Sequence, residues 1–322
     1  MCMQGMLYVY EVYREKSFSR AARKLFVSQP ALSAAVKKTE NTLGVLLFDR
    51  SSSPLQLTAA GKAYIEATQQ IMAIEKKLLD YCHDLENLNS GSLAVGGTNF
   101  FASCLLPPII REFSNAYPKI QLQITESDSA ELYERLLTED LDLIVDSGIY
   151  NETLYESIPL LEDHILLGVP AQYPVNDKFS SSRLTQADII RGQHHRSDIL
   201  PLPLTCFAGE EFLLLGKGND MHRRALDLCR RSGFTPKVRL YLNQLMTAYH
   251  TACQGLGITF LTDSLIKMSM PSEALFYYKI RDDAATRKIF IAAKKNCYRT
   301  HAMQEFIQLG QALYQDDPLP CT

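Results

Sequence analysis

The chain contains no tryptophan, no Cys-x-x-Cys pair among its eight cysteines, and no unbroken apolar run near the roughly 20 residues needed to cross a bilayer. Each absence removes a class of protein. Without paired cysteines or finger-type His/Cys spacing, structural zinc is not expected, and no metal ligand is nominated. With no apolar span and no signal-peptide pattern, the chain reads as cytoplasmic and without a membrane partner, its thiols reduced. Gly-x-Ser-x-Gly, Gly-x-x-x-x-Gly-Lys-Ser/Thr and Gly-x-Gly-x-x-Gly are missing too, so no catalytic residue and no cofactor is nominated. What 322 residues at 46% hydrophobic content do supply is material for more than one domain with a proper core.

Charge is unevenly spread. Residues 1–62 hold nine Lys and Arg against four Asp and Glu, a net of +5, which leaves −8 for residues 63–322 of a chain that totals −3. A basic head on an acidic body is the footprint of a protein whose head alone meets nucleic acid.

The head carries a matching pattern. Ser17 is placed to cap a helix that turns Phe18, Ala21, Ala22 and Leu25 inward, and Ser28 to cap a second helix with Pro30 in its first turn. So short a turn forces the helices to cross steeply, and Ala21 and Ala22 are small enough to let them approach. The second helix should bury Leu32, Val36 and Leu43. Its other face shows Gln29, Ser33, Lys37 and Lys38, side chains that meet base edges and phosphates.

Four blocks in order, Ser17 to Ala22, Val27 to Ser33, Leu43 to Arg50 and Leu57 to Gly61, resemble the winged helix-turn-helix signature of the LysR-type transcriptional regulators. The resemblance implies that the helix opened by Ser28 enters the major groove with Gln29, Pro30, Ser33 and Lys37, while Arg50 holds a wing ending near Pro54 against phosphate. Two departures stand out. Ala34 replaces a common polar residue and removes one base contact, and Thr39 puts a hydroxyl where an apolar residue normally packs.

From Tyr64 to Leu88 a heptad runs, with Tyr64, Ile71, Leu78 and Leu85 at one core position and Ala67, Ile74, Tyr81 and Leu88 at the other. Four uninterrupted heptads predict a long helix paired with a second copy. Two heads on a two-fold axis would read an interrupted inverted repeat in double-stranded promoter DNA. The resemblance adds a tetramer built as a dimer of dimers, and RNA polymerase as a further partner.

Ser90-Gly91-Ser92 breaks the helix, and the periodicity then changes. Apolar runs at Leu93–Gly96, Ile120–Ile124, Leu141–Val145 and Ile165–Val169 read as strands, with helices at about 103–116 and 129–139 between the first three. A second set follows: strands at Phe212–Leu215, Val238–Tyr241 and Ile258–Leu261, with helices at Met221–Ser232 and Leu245–Gln254. Alternation of this kind predicts parallel α/β sheets. The fold class is therefore α/β with an all-α winged helix-turn-helix head, a long linker helix and, by resemblance to the same family, a two-lobed body built like a periplasmic solute-binding protein. The expected divisions are a DNA-binding domain at 1–60, a linker helix at 61–90 and an effector domain at 91–318. Within the last, lobe 1 takes about 91–163 and 268–318 and lobe 2 about 164–267, the crossings falling near 160–165 and 264–270.

Polar residues at helix starts mark the expected effector site: Thr98 and Asn99, Ser127 and Ser129 around Asp128, Asn219 and Gln244. Helix N-termini expose unpaired N–H groups and a positive dipole end; the family resemblance implies that these starts are aimed at one cleft, where together they would attract a small anionic metabolite. Each residue also fits a plain capping role. Cys206 and Cys229 are the nearest match to the redox pairs of some family members, yet buried structural cysteine is the simpler reading. His194-His195 with Asp198 is read as a polar surface loop, and the role of residues 177–203 around it is open. A solute-binding protein with an accidental basic head, a metabolic enzyme and a regulator working without a ligand are the competing readings.

Overall fold

The computed structural model describes residues 3–49, 55–84, 91–148 and 151–315. It divides into two compact units, Met1–Cys82 and His83–Thr322.

The first unit opens with α1 (Met3–Glu15), α2 (Phe18–Lys24) and α3 (Gln29–Leu43). Both predicted caps form: Ser17 Oγ accepts from Arg20 N at 3.4 Å and Ser28 Oγ from Ala31 N at 3.3 Å. Each such cap stabilises its helix by about 1 kcal/mol. Ala21, Ala22, Leu32 and Val36 are fully buried against Val9 and Val12 of α1, as the helical spacing requires. Leu43 is not: it is 38% exposed, because the helix stops at Gly44 in a left-handed conformation (φ 74°) and the inward position one turn earlier belongs to Glu40. That buried carboxylate accepts from Leu47 N at 2.9 Å and Phe48 N at 3.4 Å, which ties α3 to the first strand of the wing.

The wing is a short antiparallel pair, β1 (Phe48–Asp49) and β2 (Gln56–Leu57), leading to α4 (Ala59–Asp84). Thr58 Oγ1 donates to Leu46 O at 2.7 Å and accepts from Gly61 N at 2.9 Å. Gly61 is dictated by contact, since a Cβ there would stand 2.0 Å from Leu47 O. The start of α4 packs into the head through Tyr64, Ile65 and Thr68, so the helix groups with the head as far as Cys82 instead of forming a separate segment. Ile71 lies partly buried on the same core, whereas Ala67, Ile74, Leu78 and Tyr81 are exposed. Leu85 and Leu88 lie outside the described residues.

The second unit contains β3 (Ser92–Gly97), α5 (Leu106–Ala116) entered through a π-helical turn at Phe101–Leu105, β4 (Gln121–Glu126), α6 (Ser129–Leu137), β5 (Leu143–Asp146) and the 16-residue β6 (Tyr155–Pro170). Next come α7 (Val175–Lys178), α8 (Gln186–Ile190), β7 (Glu211–Leu215), α9 (Asp220–Arg231), β8 (Lys237–Leu242), α10 (Leu245–Cys253), β9 (Ile258–Thr262), α11 (Asp263–Met268), β10 (Leu275–Lys279), β11 (Thr286–Lys294) and α12 (His301–Gln315). The sheets are mixed, not parallel throughout. In lobe 1, β3 pairs in parallel with β4 and β5, while β11 lies antiparallel between β5 and the first half of β6. In lobe 2, β7 pairs in parallel with β8 and β9, and the second half of β6 lies antiparallel between β9 and β10. One strand thus belongs to both lobes. The first crossing falls near His164, within the expected span. The return comes after β10, at Asp282 to Thr286, later than the predicted 264–270, because β10 pairs with β6 inside the lobe 2 sheet.

Candidate effector cleft and nucleic-acid interface

On α3 the structure exposes Gln29, Pro30, Ala34, Lys37 and Lys38 and half-buries Ser33. The cations differ in what they meet. Lys24 on α2 is paired with Glu11 and, at 3.4 Å, with Glu15, and Arg20 lies 4.0 Å from Glu15. Lys37 and Lys38 have no ion-pair partner among the described residues. Arg50 lies outside the described residues.

In the body, a cleft of about 650 Å³ opens between the two lobes. All six residues expected from helix starts line it: Thr98, Asn99, Ser127 and Ser129 from lobe 1, Asn219 and Gln244 from lobe 2. Local structure explains their placement. The strands β3, β4, β7 and β8 run in parallel toward the cleft within their sheets, so the loops that follow them deliver helix starts there. Their side chains are committed to different degrees. Asn219 caps α9 through Met221 N at 2.9 Å, and Asp128 caps α6 through Glu131 N at 2.9 Å, with Ser127 Oγ also on Glu131. Asn99 Nδ2 donates to Glu126 Oε1 at 2.8 Å. The Gln244 side chain makes no capping bond on α10, which leaves it and the first turn of that helix facing the cleft.

Charged residues that sequence reasoning did not assign to the site sit among them. Arg287 of β11 donates from Nε (2.9 Å) and a terminal nitrogen (2.7 Å) to Asp163 Oδ2, and from the other terminal nitrogen to Ser147 Oγ at 3.2 Å. Ser147 in turn donates across the cleft to Asp220 Oδ2 at 3.5 Å, so a polar chain joins the lobes. Lys217 adds a second cation to the lining, while Glu126, Asp146 and Asp220 add carboxylates. Asp220 is offset by Arg223 and Arg224. Asp146 closes β5: burial pushes its carboxyl above the ordinary range, with the Ser147 N–H and the Ser129 hydroxyl working the other way and Asp220 adding to the rise. A carboxylate ending an apolar Leu-Ile-Val run at the carboxyl edge of a strand is the signal by which it was findable. Arg287 had none, because its strand opens with the polar run Thr286-Arg287-Lys288.

The surface-loop reading of His194-His195 holds for exposed His195 but not for His194. His194 is 3% exposed and its Nε2 lies 3.0 Å from Asp263 Oδ2, while Asp198 pairs with exposed Arg196 instead. The segment 177–203 folds against α11, where buried Gln186 donates to Ile266 O at 2.9 Å and Ser269 O at 2.8 Å and accepts from Ser272 N at 2.8 Å. Burial and the adjoining rings hold the His195 imidazole down at about 4, and burial lowers His194, whereas Asp263 raises His164. Although burial works against it, Asp263 is held well below the carboxylate range by His164, His194 and the Lys267 ammonium. Cys229 is buried in the core with its thiol pushed up to about 12, and Cys206 is half-buried.

Comparison with known proteins follows the same division. Residues 3–62 match the family described as bacterial regulatory helix-turn-helix protein, lysR family, and residues 86–314 match the LysR substrate binding domain. The chain is 28% identical over 312 residues to the uncharacterized HTH-type transcriptional regulator YcgK of Bacillus subtilis (strain 168), covering 97% of this chain and 94% of that protein. It is 25% identical over 310 residues to a probable RuBisCO transcriptional regulator of Trieres chinensis, covering 94% of each. Among solved structures, a full-length OxyR from Pseudomonas aeruginosa superposes with a TM-score of 0.66 at 25% identity, over 97% of this chain and 95% of that one. CbnR complexed with its target DNA superposes at 0.63 with 18% identity, over 97% of this chain and 99% of that one. No helix among the described residues is long and apolar enough to cross a membrane.

Proposed function

Because the chain belongs to the LysR family of DNA-binding transcriptional regulators, we propose that it grips promoter DNA as a paired molecule through α3, and that a small polar effector held between its lobes alters that grip. The chain is a regulator, not an enzyme. It works in the cytoplasm beside its DNA, and its operator is an interrupted inverted repeat, one half-site per head.

Pairing is supported by α4. Ile74, Leu78 and Tyr81, spaced four and three residues apart, are 67%, 63% and 52% exposed along a 26-residue helix, an apolar stripe that a second copy would cover. A dimer of dimers follows if further faces pair. On α3, Gln29, Pro30 and Ser33 supply groove contacts, Lys37 supplies phosphate contact, and Arg50 steadies the wing.

The effector half rests on one observation: six residues from helix starts on two lobes face one cleft. Thr98, Asn99, Ser127, Ser129, Asn219 and Gln244 are its polar lining. The charges refine the purely anionic expectation. An anionic group suits the α10 start with Gln244, Lys217 and Arg287, while a hydrogen-bond-donating or cationic group suits Asp146, whose carboxyl is buried. The effector acts only by binding one arrangement of the lobes better than another. The test is a footprint of the full chain on its own upstream DNA, with and without a metabolite pool. A pool-dependent change in footprint supports the reading. A monomeric chain indifferent to that DNA at low salt, or a footprint no metabolite changes, overturns its two halves respectively.

A further inference from the structure

Away from the cleft, three imidazoles from distant parts of the chain meet where the lobes join. His164 lies on β6 at the crossing, paired with Thr286 at the start of β11; His194 and His195 come from the segment 177–203; Asp263 opens α11. Ring centroids are 3.9 Å apart for His194 and His195, 4.7 Å for His164 and His195, and 6.0 Å for His164 and His194. One ring nitrogen from each histidine and one Asp263 oxygen all lie within 4.8 Å of one another.

The hydrogen-bond chemistry of His194 indicates what belongs there. A carboxylate can only accept, so the His194 nitrogen 3.0 Å from Asp263 Oδ2 carries the proton, and Nδ1 is left as a bare lone pair. That side chain is 1% exposed and Nδ1 has no hydrogen-bond partner among the described residues. A buried, unpaired acceptor is costly, and a histidine that gives its N–H to a carboxylate while offering the other nitrogen is how metal-binding imidazoles are oriented.

We propose that His164, His194 and His195 form a binding site for a divalent transition-metal ion of the zinc class, with Asp263 as the orienting carboxylate and counter-charge. Imidazole selects zinc, nickel and copper over magnesium and calcium. With metal–nitrogen distances of about 2.0–2.1 Å, tetrahedral ligands stand roughly 3.3 Å apart, so the rings close by about 1–1.5 Å on binding. His195 is exposed, which gives it room to rotate and gives the ion a way in. Charge permits it as well. Glu162, Asp163 and Asp263 face Lys267, 2.8 Å from Asp263 Oδ2, and Arg287, 2.7 Å from Asp163 Oδ2, leaving one negative charge uncompensated. Bound there, the ion fastens the segment 177–203 to the crossing strand, one residue from the Asp163–Arg287 pair that reaches the cleft. This site stands whether or not the cleft binds an effector.

The experiment uses the full chain without an affinity tag, stripped with chelator. Zn²⁺ is titrated in competition with a chromophoric chelator, and Co²⁺ absorbance reports coordination. The expected result is one ion per chain, excess Mg²⁺ failing to displace it, and at least a tenfold weaker grip in His195→Ala and in His164→Gln, with the metal raising the thermal midpoint of the parent only. Circular dichroism checks that both variants fold, and exposed His195 makes that variant the safer of the two. Less than one equivalent retained, or variants that hold Zn²⁺ as tightly as the parent and therefore bind it elsewhere, for instance on cysteines, overturns the proposal.

Discussion

The proposed DNA-facing helix and the proposed effector cleft would both present helical residues to a partner, but one uses the side of a helix and the other the ends. Along α3, exposed Gln29, Lys37 and Lys38 form a face whose cations have no ion-pair partner among the described residues. In the cleft, side chains at the starts of α6, α9 and α10 surround a small volume, and nearly every charge there already has a protein partner. A long polyanion needs a row of uncommitted charges, whereas a small ligand needs a few groups held still. Residues that serve the first purpose are therefore cheap to change in stability terms, and those that serve the second are not.

Substitutions on the two sides test this contrast. Arg287→Ala should have the largest effect, about 3–5 kcal/mol of stability, because it strands Asp163 in the core without its ion pair. Calorimetry of the full chain measures it, and a loss below about 1 kcal/mol would erase the contrast with α3. Lys37→Ala should leave the thermal midpoint in place while weakening every duplex alike and reducing the salt slope by about 1; Ser33→Ala should relax choice at one base position by roughly 1–3 kcal/mol. Binding isotherms across salt and sequence separate these two. His195 is proton-free in the folded chain down to about 4 against an ordinary 6.5, so between those values the unfolded chain binds more protons. Its contribution to stability grows as pH rises from about 4 to 6.5 and is complete above, and the His195→Gln midpoint should fall less on acidification than the parent's. The smallest effect concerns thiols. Buried Cys229, its thiol pushed up to about 12, should alkylate far more slowly at pH 8 than exposed Cys82, as peptide mass spectrometry would report.

Much of this arrangement is legible in the amino-acid sequence. Ser17 and Ser28 announced their helices because a cap is a local event, settled within three residues. The six cleft residues were legible as helix starts for the same reason. What escaped notice is non-local. The first half of β6 reads as polar, with Glu156, Ser157 and Glu162 interrupting it, and it is a strand only because β11 lies beside it. The later return crossing depends on which sheet captures β10, a choice that no window of residues records. His194 reads as exposed in the sequence because its partner Asp263 is 69 residues away. Glu40 was invisible for a related reason: a carboxylate on a helix signals solvent until the N–H groups it holds, those of Leu47 and Phe48, come into view.

The sharing of β6 also bears on how the chain is made. In lobe 1, β11 fills the gap between β5 and β6, yet Thr286 leaves the ribosome 116 residues after Pro170. At about 5–20 residues per second, the nascent lobe waits roughly 6–23 s with two open strand edges. Bare edges of that sort invite pairing with other chains. Slow translation between residues 171 and 285 would therefore lower the yield of native protein by prolonging this sticky interval, with no change in the stability of the finished molecule.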